Sequence, residues 1–404
     1  MATLRELLKK ALPEITAVVV LVVAIVGQHF MPAPAKILEI VKAPLVAEVA
    51  KIAVMPKPAP VAVKPIVHVA MPSFVKGIYM TAGTAMDVKR RAPLVKMLKE
   101  TELNSVVIDI KDDFGRIAYP AKDPTLASHL STLIQMKDID ALIAELHEAN
   151  IYVIARLFVF QDRALVAARP DLAVQSTLGG VWKDYKGVSW IEAASEDAWK
   201  YNASIAKDVY ARGFDEVQLD YIRFPSDGNM KTVKYTFFDP KKESRTDVMT
   251  RFFTYMDENL RQKGIPLSAD LFGFAYWDRD SDMTIGQRIR DAAPYFTAMS
   301  PMAYPSHYPP GTLTFKNPAD HPYEIILETL KRGTNIMKEW PEVKYGSRPW
   351  VQAFDIGAVY DKTKLRAEMK AVVDGGGTGW LMWNARNVYT VDAFEPKTLN
   401  IVNN

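Results

Sequence analysis

Eight short runs rich in β-branched and aromatic residues recur from Val75 onward, separated by longer segments of helical period. The runs are Val75–Thr81, Ser105–Lys111, Tyr152–Phe158, Glu216–Ile222, Leu267–Phe272, Phe296–Met302, Trp350–Phe354 and Gly379–Trp383. Alternation of this kind predicts βαβ units and a parallel sheet. Between the runs lie apolar stripes at helical spacing: Ile139, Leu142, Ile143 and Leu146; Val248, Phe252, Met256 and Leu260; Leu365, Met369 and Val372. Ser195 is a predicted cap for a helix carrying Ala198, Tyr201, Ile205 and Val209, with Gly213 at its end. Eight strands with helical crossovers close most simply into a (β/α)8 TIM barrel. A doubly wound sheet would carry a Gly-rich phosphate turn after its first strand, and Gly83-Thr84-Ala85-Met86-Asp87 lacks that pattern. Gly375-Gly376-Gly377 follows a helix and precedes the last strand, so it reads as a helix stop at the barrel bottom. Few residues follow Trp383, so a full eighth helix is not expected.

The first 72 residues have another character. Arg5, Lys9 and Lys10 precede an apolar run from Ile15 to Val26, interrupted only by Thr16. That length suits the core of a signal peptide better than a span, which needs about 20 residues. Ala33-Pro34-Ala35 offers a cleavage site, whereas extending the segment to Met31 makes a membrane anchor. Both readings of residues 1–31 predict export: a secreted protein, or one tied to the membrane through an uncleaved segment. Residues 32–72 hold eight prolines and no glycine, a composition that bars long helices and central strands. They read as a semi-rigid spacer, with an irregular arm packed on the barrel as the alternative, and residues 73–404 as the barrel domain.

Composition excludes several chemistries. A net charge of +3 over 404 residues lacks the basic excess of a nucleic-acid binder, so nucleic acid is not an expected partner. The absence of cysteine removes thiolate nucleophiles and zinc–thiolate sites. The six histidines are scattered, which argues against a His-built metal centre. No G-x-S-x-G turn is present to carry a nucleophilic serine. No cofactor or metal is expected.

Function in this fold sits at the C-terminal strand ends, and strand side chains alternate between the barrel axis and the helix layer. On that phase Asp109, Gln218, Asp220 and Asp270 can face the axis, with Arg156 interrupting the apolar third run and Gln352 and Asn384 near the ends of the last two. Several carboxylates at one mouth are costly to bury and push each other's pKa apart, which marks a candidate site. Two carboxylates in an open mouth suit glycoside hydrolysis, one protonating the leaving oxygen and one attacking the sugar or activating water. Aromatic residues at or beyond the strand ends offer faces for sugar rings: Tyr221, Phe224, Phe272, Phe274, Tyr276, Trp277, Tyr304, Tyr308, Trp380 and Trp383. A polysaccharide or oligosaccharide is the expected partner.

The segment Leu219-Asp220-Tyr221-Ile222-Arg223-Phe224-Pro225 resembles the L-D-Y-I-R-F-P signature of a bacterial family of glycosyl hydrolase-like TIM-barrel proteins of unknown function. Lys76–Thr81, Val107–Asp112 and Ser300–Pro305 resemble its other segments, and the likeness runs from about Val75 to Val391. It implies Asp220 as the leading catalytic carboxylate, where α-amylase-like retaining barrels hold their nucleophile. Two departures stand out: that pattern has Arg two residues earlier, where this chain has Gln218, and a Glu ending the fifth strand, where this chain has Asp270. The expected set is Asp220 as nucleophile or base and Asp270 as acid, with Asp109 as the alternative partner. Arg156 and Arg223 are expected to orient carboxylates or bind an anionic sugar, and Gln218, Tyr221, Trp277, Tyr304, Gln352, Trp383 and Asn384 to contact substrate. A carbohydrate-binding barrel without catalysis, and another hydrolase or lyase using Lys111 or an aspartate-held metal, are the competing expectations.

Overall fold

The computed structural model describes residues 66–111 and 114–397. The predicted export segment and most of the predicted spacer therefore lie outside the described residues. Eight parallel strands are present: β1 Val75–Met80, β2 Ser105–Asp109, β3 Tyr152–Phe158, β4 Glu216–Asp220, β5 Leu267–Phe272, β6 Ala298–Met302, β7 Trp350–Gln352 and β8 Gly379–Trp383. Each pairs with its successor in chain order through β6, β8 pairs with β1, and β7 pairs with both β8 and β6. The sheet is closed, and the expected (β/α)8 barrel is what forms.

The alternation of side chains divides the apolar residues into two clusters. Ile78, Val106, Val153, Val217, Leu267 and Val351 point outward and join the large core shared with the helices. Val75, Tyr79, Val107, Tyr152, Ile154, Trp350 and Leu381 form a separate cluster inside the barrel. The outer layer is built from α1 Val88–Glu100, α2 Ile139–Glu148, α3 Glu196–Tyr210, α4 Arg245–Asn259, α5 Pro322–Met337 and α6 Lys362–Asp374. Their starts follow local chemistry. Ser195 accepts from the Ala198 N–H, Ser244 and Asp247 form a reciprocal capping box, and Asp361 accepts from the Lys364 N–H. All four residues of the α2 stripe are buried, as are Val248, Phe252, Met256 and Leu260. Between β5 and β6 the only α-helix is the short Ile289–Ala292, and after β8 only a single turn, Val391–Ala393, follows among the described residues.

Residues 66–72, which composition assigns to the spacer, lie on the barrel. The Val69 N–H donates to the buried Asp215 carboxylate (2.8 Å), and His68 stacks on Tyr210. Asp215 also accepts from the Val153 N–H (2.8 Å) and faces His147 Nε2 (3.0 Å), so one carboxylate at the N-terminal end of β4 anchors the arm, β3 and α2 together. This segment takes the packed-arm alternative because it carries apolar side chains beside a ready acceptor.

One buried acid outside the barrel axis is testable. Glu368 of α6 is fully buried, accepts one bond from the Gln352 N–H (3.3 Å), and has an unpartnered second oxygen. Burial drives its pKa well above the usual carboxylate range. A raised folded pKa means that its stabilising contribution is complete below the unfolded value and lost as pH rises. Glu368→Gln is expected to match the parent in urea unfolding at pH 4 and to exceed it at pH 8, by on the order of 1–2 kcal/mol. Equal stability at pH 8 would contradict the reading.

Candidate active site

Four strands deliver an ion cluster to the C-terminal mouth. Asp109 ends β2, Arg156 lies near the end of β3, Asp220 ends β4 and Asp270 lies in β5. Pairing places Asp109 beside Arg156 and Arg156 beside Gln218, while Phe158 sits beside Asp220. Closure then turns all four side chains toward one axis. The Arg156 guanidinium donates to Asp109 Oδ1 from Nη1 (2.8 Å) and to Asp220 Oδ2 from Nη2, and its Nε lies 3.4 Å from Asp270 Oδ2. All four residues are nearly fully buried. Burial opposes the Arg156 charge, and the carboxylates of Asp220 and Asp109 more than offset it, holding the guanidinium firmly protonated.

The three acids are not equivalent. Both Asp109 oxygens are taken, one by Arg156 and one by the Tyr79 hydroxyl. Burial raises its pKa, while Arg156 and Tyr79 pull the other way. Asp220 accepts from Arg156 and from the Tyr221 N–H (2.6 Å). Asp270 Oδ1 accepts from Gln218 Nε2 (2.7 Å) and Trp350 Nε1 (2.8 Å), while its Oδ2 has no hydrogen-bond donor. Burial first, then the neighbouring Asp220 charge, push Asp270 well above the ordinary carboxylate range, which favours its protonated form. Because both bonds to Oδ1 come from donors, the proton belongs on Oδ2.

Asp220 and Asp270 line one cavity of about 90 Å³, together with Tyr221, Arg223, Leu271, Phe272, Gln287 and Met302. Asp109 is not on its wall. Above the cluster, Arg156 lies against the rings of Phe158 (4.4 Å) and Trp383 (5.0 Å), and Trp383 stacks on Tyr79 at 4.0 Å. Below it, Arg348 pairs with Glu216, which also accepts from the Ser268 and Tyr152 hydroxyls. This lower pair fills the barrel interior and gives the mouth a rigid floor. A guanidinium stands where a cation shared by the three aspartates would sit. Among the described residues no group of three or more His, Asp or Glu side chains is arranged to hold a metal ion.

A family model described as "Putative glycosyl hydrolase domain" matches residues 77–389. The chain belongs to this family. Among solved structures, the PgaB (BpsB) glycoside hydrolase domain from Bordetella bronchiseptica is 14% identical, with a TM-score of 0.57, over 77% of this chain and 94% of that one. Alpha-L-fucosidase isoenzyme 2 from Paenibacillus thiaminolyticus is 13% identical, with a TM-score of 0.52, over 77% of this chain and 46% of that one. A hypothetical protein from Ruminiclostridium thermocellum ATCC 27405 is 34% identical over 48% of this chain and 96% of its own, with a TM-score of 0.43. No curated protein matches. At such identities the first two likenesses speak to the barrel fold.

The other predicted site residues divide into two groups. Gln218, Tyr221, Arg223, Tyr304 and Trp383 gather at the mouth. Gln218 bridges Asp270 and Ser300, and Tyr304 lies in the axial cluster, where burial and then the Asp270 charge raise its pKa. Trp277, Gln352 and Asn384 are not brought there. Trp277 turns to α5, where its Nε1 donates to Thr329 and Arg332 covers its ring. Gln352 is fully buried and bonds the backbone of Ser306, Phe354 and Ile356. Asn384 holds the Ala353 carbonyl and the Arg386 N–H. Lys111 is committed to Asp162 (2.7 Å), both side chains fully buried, so it offers no free amine.

Three residues escape the sequence reading. Tyr79 and Trp350 share the inward phase of β1 and β7 and were open to detection by alternation alone. Trp190 was not: it arrives from the long loop after β3, where its indole N–H donates to Asp184 Oδ2 (3.1 Å) and its ring meets Tyr221 edge-on.

Proposed function

We propose that the protein is an exported glycoside hydrolase acting on cell-wall or extracellular polysaccharide through Asp220 and Asp270. One observation carries this reading: the two carboxyls line the same cavity and face one guanidinium, and burial together with the neighbouring Asp220 charge pushes Asp270 toward the protonated form. A buried acid raised toward its protonated form, facing a second carboxyl across one cavity, suits the general acid of such a pair. Asp270 Oδ2 gives its proton to the glycosidic oxygen as the C–O bond breaks. Asp220 either bonds to the anomeric carbon or takes a proton from the water that does. Arg156 holds Asp220 in place and receives no proton. Membership of the glycosyl hydrolase family supports the reaction class, and the apolar N-terminal segment supports export. The competing reading, a barrel that binds glycans without cleaving them, draws on the near-complete burial of Asp270.

The acid role has its own signature. Asp270→Asn is expected to lower the release of reducing ends from a cleaved polysaccharide by about 10²–10⁴-fold. Aryl glycosides with an activated dinitrophenolate leaving group, which need no proton, should keep most of their rate. The basic limb of the pH–rate profile should disappear with the acid. Equal losses on both substrate types would remove Asp270 from that role.

A further inference from the structure

Of the six buried cationic side chains among the described residues, five have a carboxylate within ion-pair distance. Arg91 meets Asp138, Lys111 meets Asp162, Arg156 meets the three aspartates, Arg212 meets Asp140 and Arg348 meets Glu216. Arg223 is the sixth. It is 9% exposed, and no described carboxylate lies within 4.0 Å of it. Its Nη1 donates to the Phe224 carbonyl (3.0 Å) and the Ser226 hydroxyl (3.3 Å), while Nε and Nη2 donate to no described residue. Burying a cation without a partner is costly, and folds keep such a group where a ligand completes it.

The surroundings hold this guanidinium in one orientation. Its plane is gripped by the rings of Trp190 and Phe272, each 4.7 Å away. Tyr221 has a left-handed φ of 55°, which turns the chain out of β4 immediately after Asp220 and brings Arg223 back over the mouth. The Phe224 N–H then bonds the Ile285 carbonyl (2.9 Å) and fixes the turn. As a result Arg223 lines the same cavity as Asp220 and Asp270.

We infer that Arg223 is the anion-binding element of this cavity, and that the glycan it accepts carries a carboxylate, as a uronic acid does, beside the bond facing Asp220. The inference rests on the glycoside-reading of the site. A planar guanidinium with two adjacent N–H groups free matches a planar carboxylate in bidentate fashion. It also offsets the repulsion that Asp220 exerts on an incoming anion. Burial works against the Arg223 charge, with Asp220 the largest counterweight, so an arriving carboxylate gains a partly uncompensated cation.

The test uses the full chain carrying Asp220→Asn and linkage-matched hexasaccharides: cellohexaose and maltohexaose, each beside its C6-oxidised hexauronate. Calorimetric titration at fixed ionic strength should give at least ten-fold tighter binding for one uronate than for its neutral counterpart. Adding Arg223→Gln should abolish that preference, and Arg223→Lys should keep part of it. Melting curves establish that both variants fold, and the Lys variant retains the test should the Gln variant fail. Equal binding of oxidised and neutral oligomers, or a preference that survives Arg223→Gln, overturns the inference. Equally tight, Arg223-dependent binding of a C6-sulfated hexasaccharide overturns the carboxylate assignment. The two proposals fail separately. Uronate binding through Arg223 in a wild-type chain that cleaves no glycan sinks the hydrolase reading and leaves the anion site standing. Cleavage of glycans by a chain that binds oxidised and neutral oligomers equally does the reverse.

Discussion

Asp220→Asn should leave the barrel folded and reduce glycan cleavage by at least about 10³-fold, the scale seen when a nucleophile or its base is removed. The substitution is nearly isosteric. The amide oxygen can still accept from Arg156 or from the Tyr221 N–H, so the turn at Tyr221 keeps its geometry. What is lost is the negative charge that attacks the anomeric carbon or activates water. A second consequence follows from the Asp220 charge acting on Asp270. With that charge gone, the raised pKa of Asp270 should fall, and any residual activity should shift its basic limb to lower pH. The measurement is reducing-end release across pH 4–9 for both proteins, with circular dichroism as the control for folding. A fully active Asp220→Asn would exclude the two-carboxylate mechanism and favour glycan binding without cleavage.

The extent to which this site can be read from sequence depends on how local each feature is. Strand alternation is local, so the inward phase of Asp109, Gln218, Asp220 and Asp270 follows from period two, and all four face the axis. Strand ends are less secure. β4 stops at Asp220 rather than Ile222 because Tyr221 leaves the extended region, and β2 stops at Asp109, which lets Lys111 turn to Asp162 instead of sharing the axis. The shared guanidinium depends on β2, β3, β4 and β5 standing side by side in one register, which no local pattern encodes. Arg156 was legible as a polar interruption; its three partners were not. Aromatic residues after strands were ambiguous for a related reason. Trp383 and Tyr221 stay at the mouth, whereas Trp277 and Tyr308 are drawn to the Thr329 hydroxyl on α5, contacts set by the paths of the loops after β5 and β6.

Arg156→Met should be the most damaging single change to stability. It preserves the length and packing of the side-chain stem and deletes the only cation that Asp109 and Asp220 contact among the described residues. Removing one partner of a buried ion cluster costs about 3–5 kcal/mol, because uncompensated charge stays behind. For a domain of this size that corresponds to a fall in melting temperature of roughly 10 °C. The loss should depend on pH in a defined direction. Without the guanidinium, the burial that already raises the folded pKa of Asp109 loses its main opposing charge. Stability from a group with a raised folded pKa is complete below its unfolded value near 4 and disappears as pH rises. The deficit should therefore be small at pH 4 and large at pH 8. Adding Asp109→Asn to Arg156→Met should recover part of it at pH 8, since one stranded charge is removed. Asp109→Asn alone should be neutral or destabilising, because Arg156 and Tyr79 then lose an ionised acceptor. A double-mutant cycle at the two pH values separates the coupling from the packing cost. A deficit independent of pH would mean that Arg156 acts through its packing against Phe158 and Trp383 rather than through its charge.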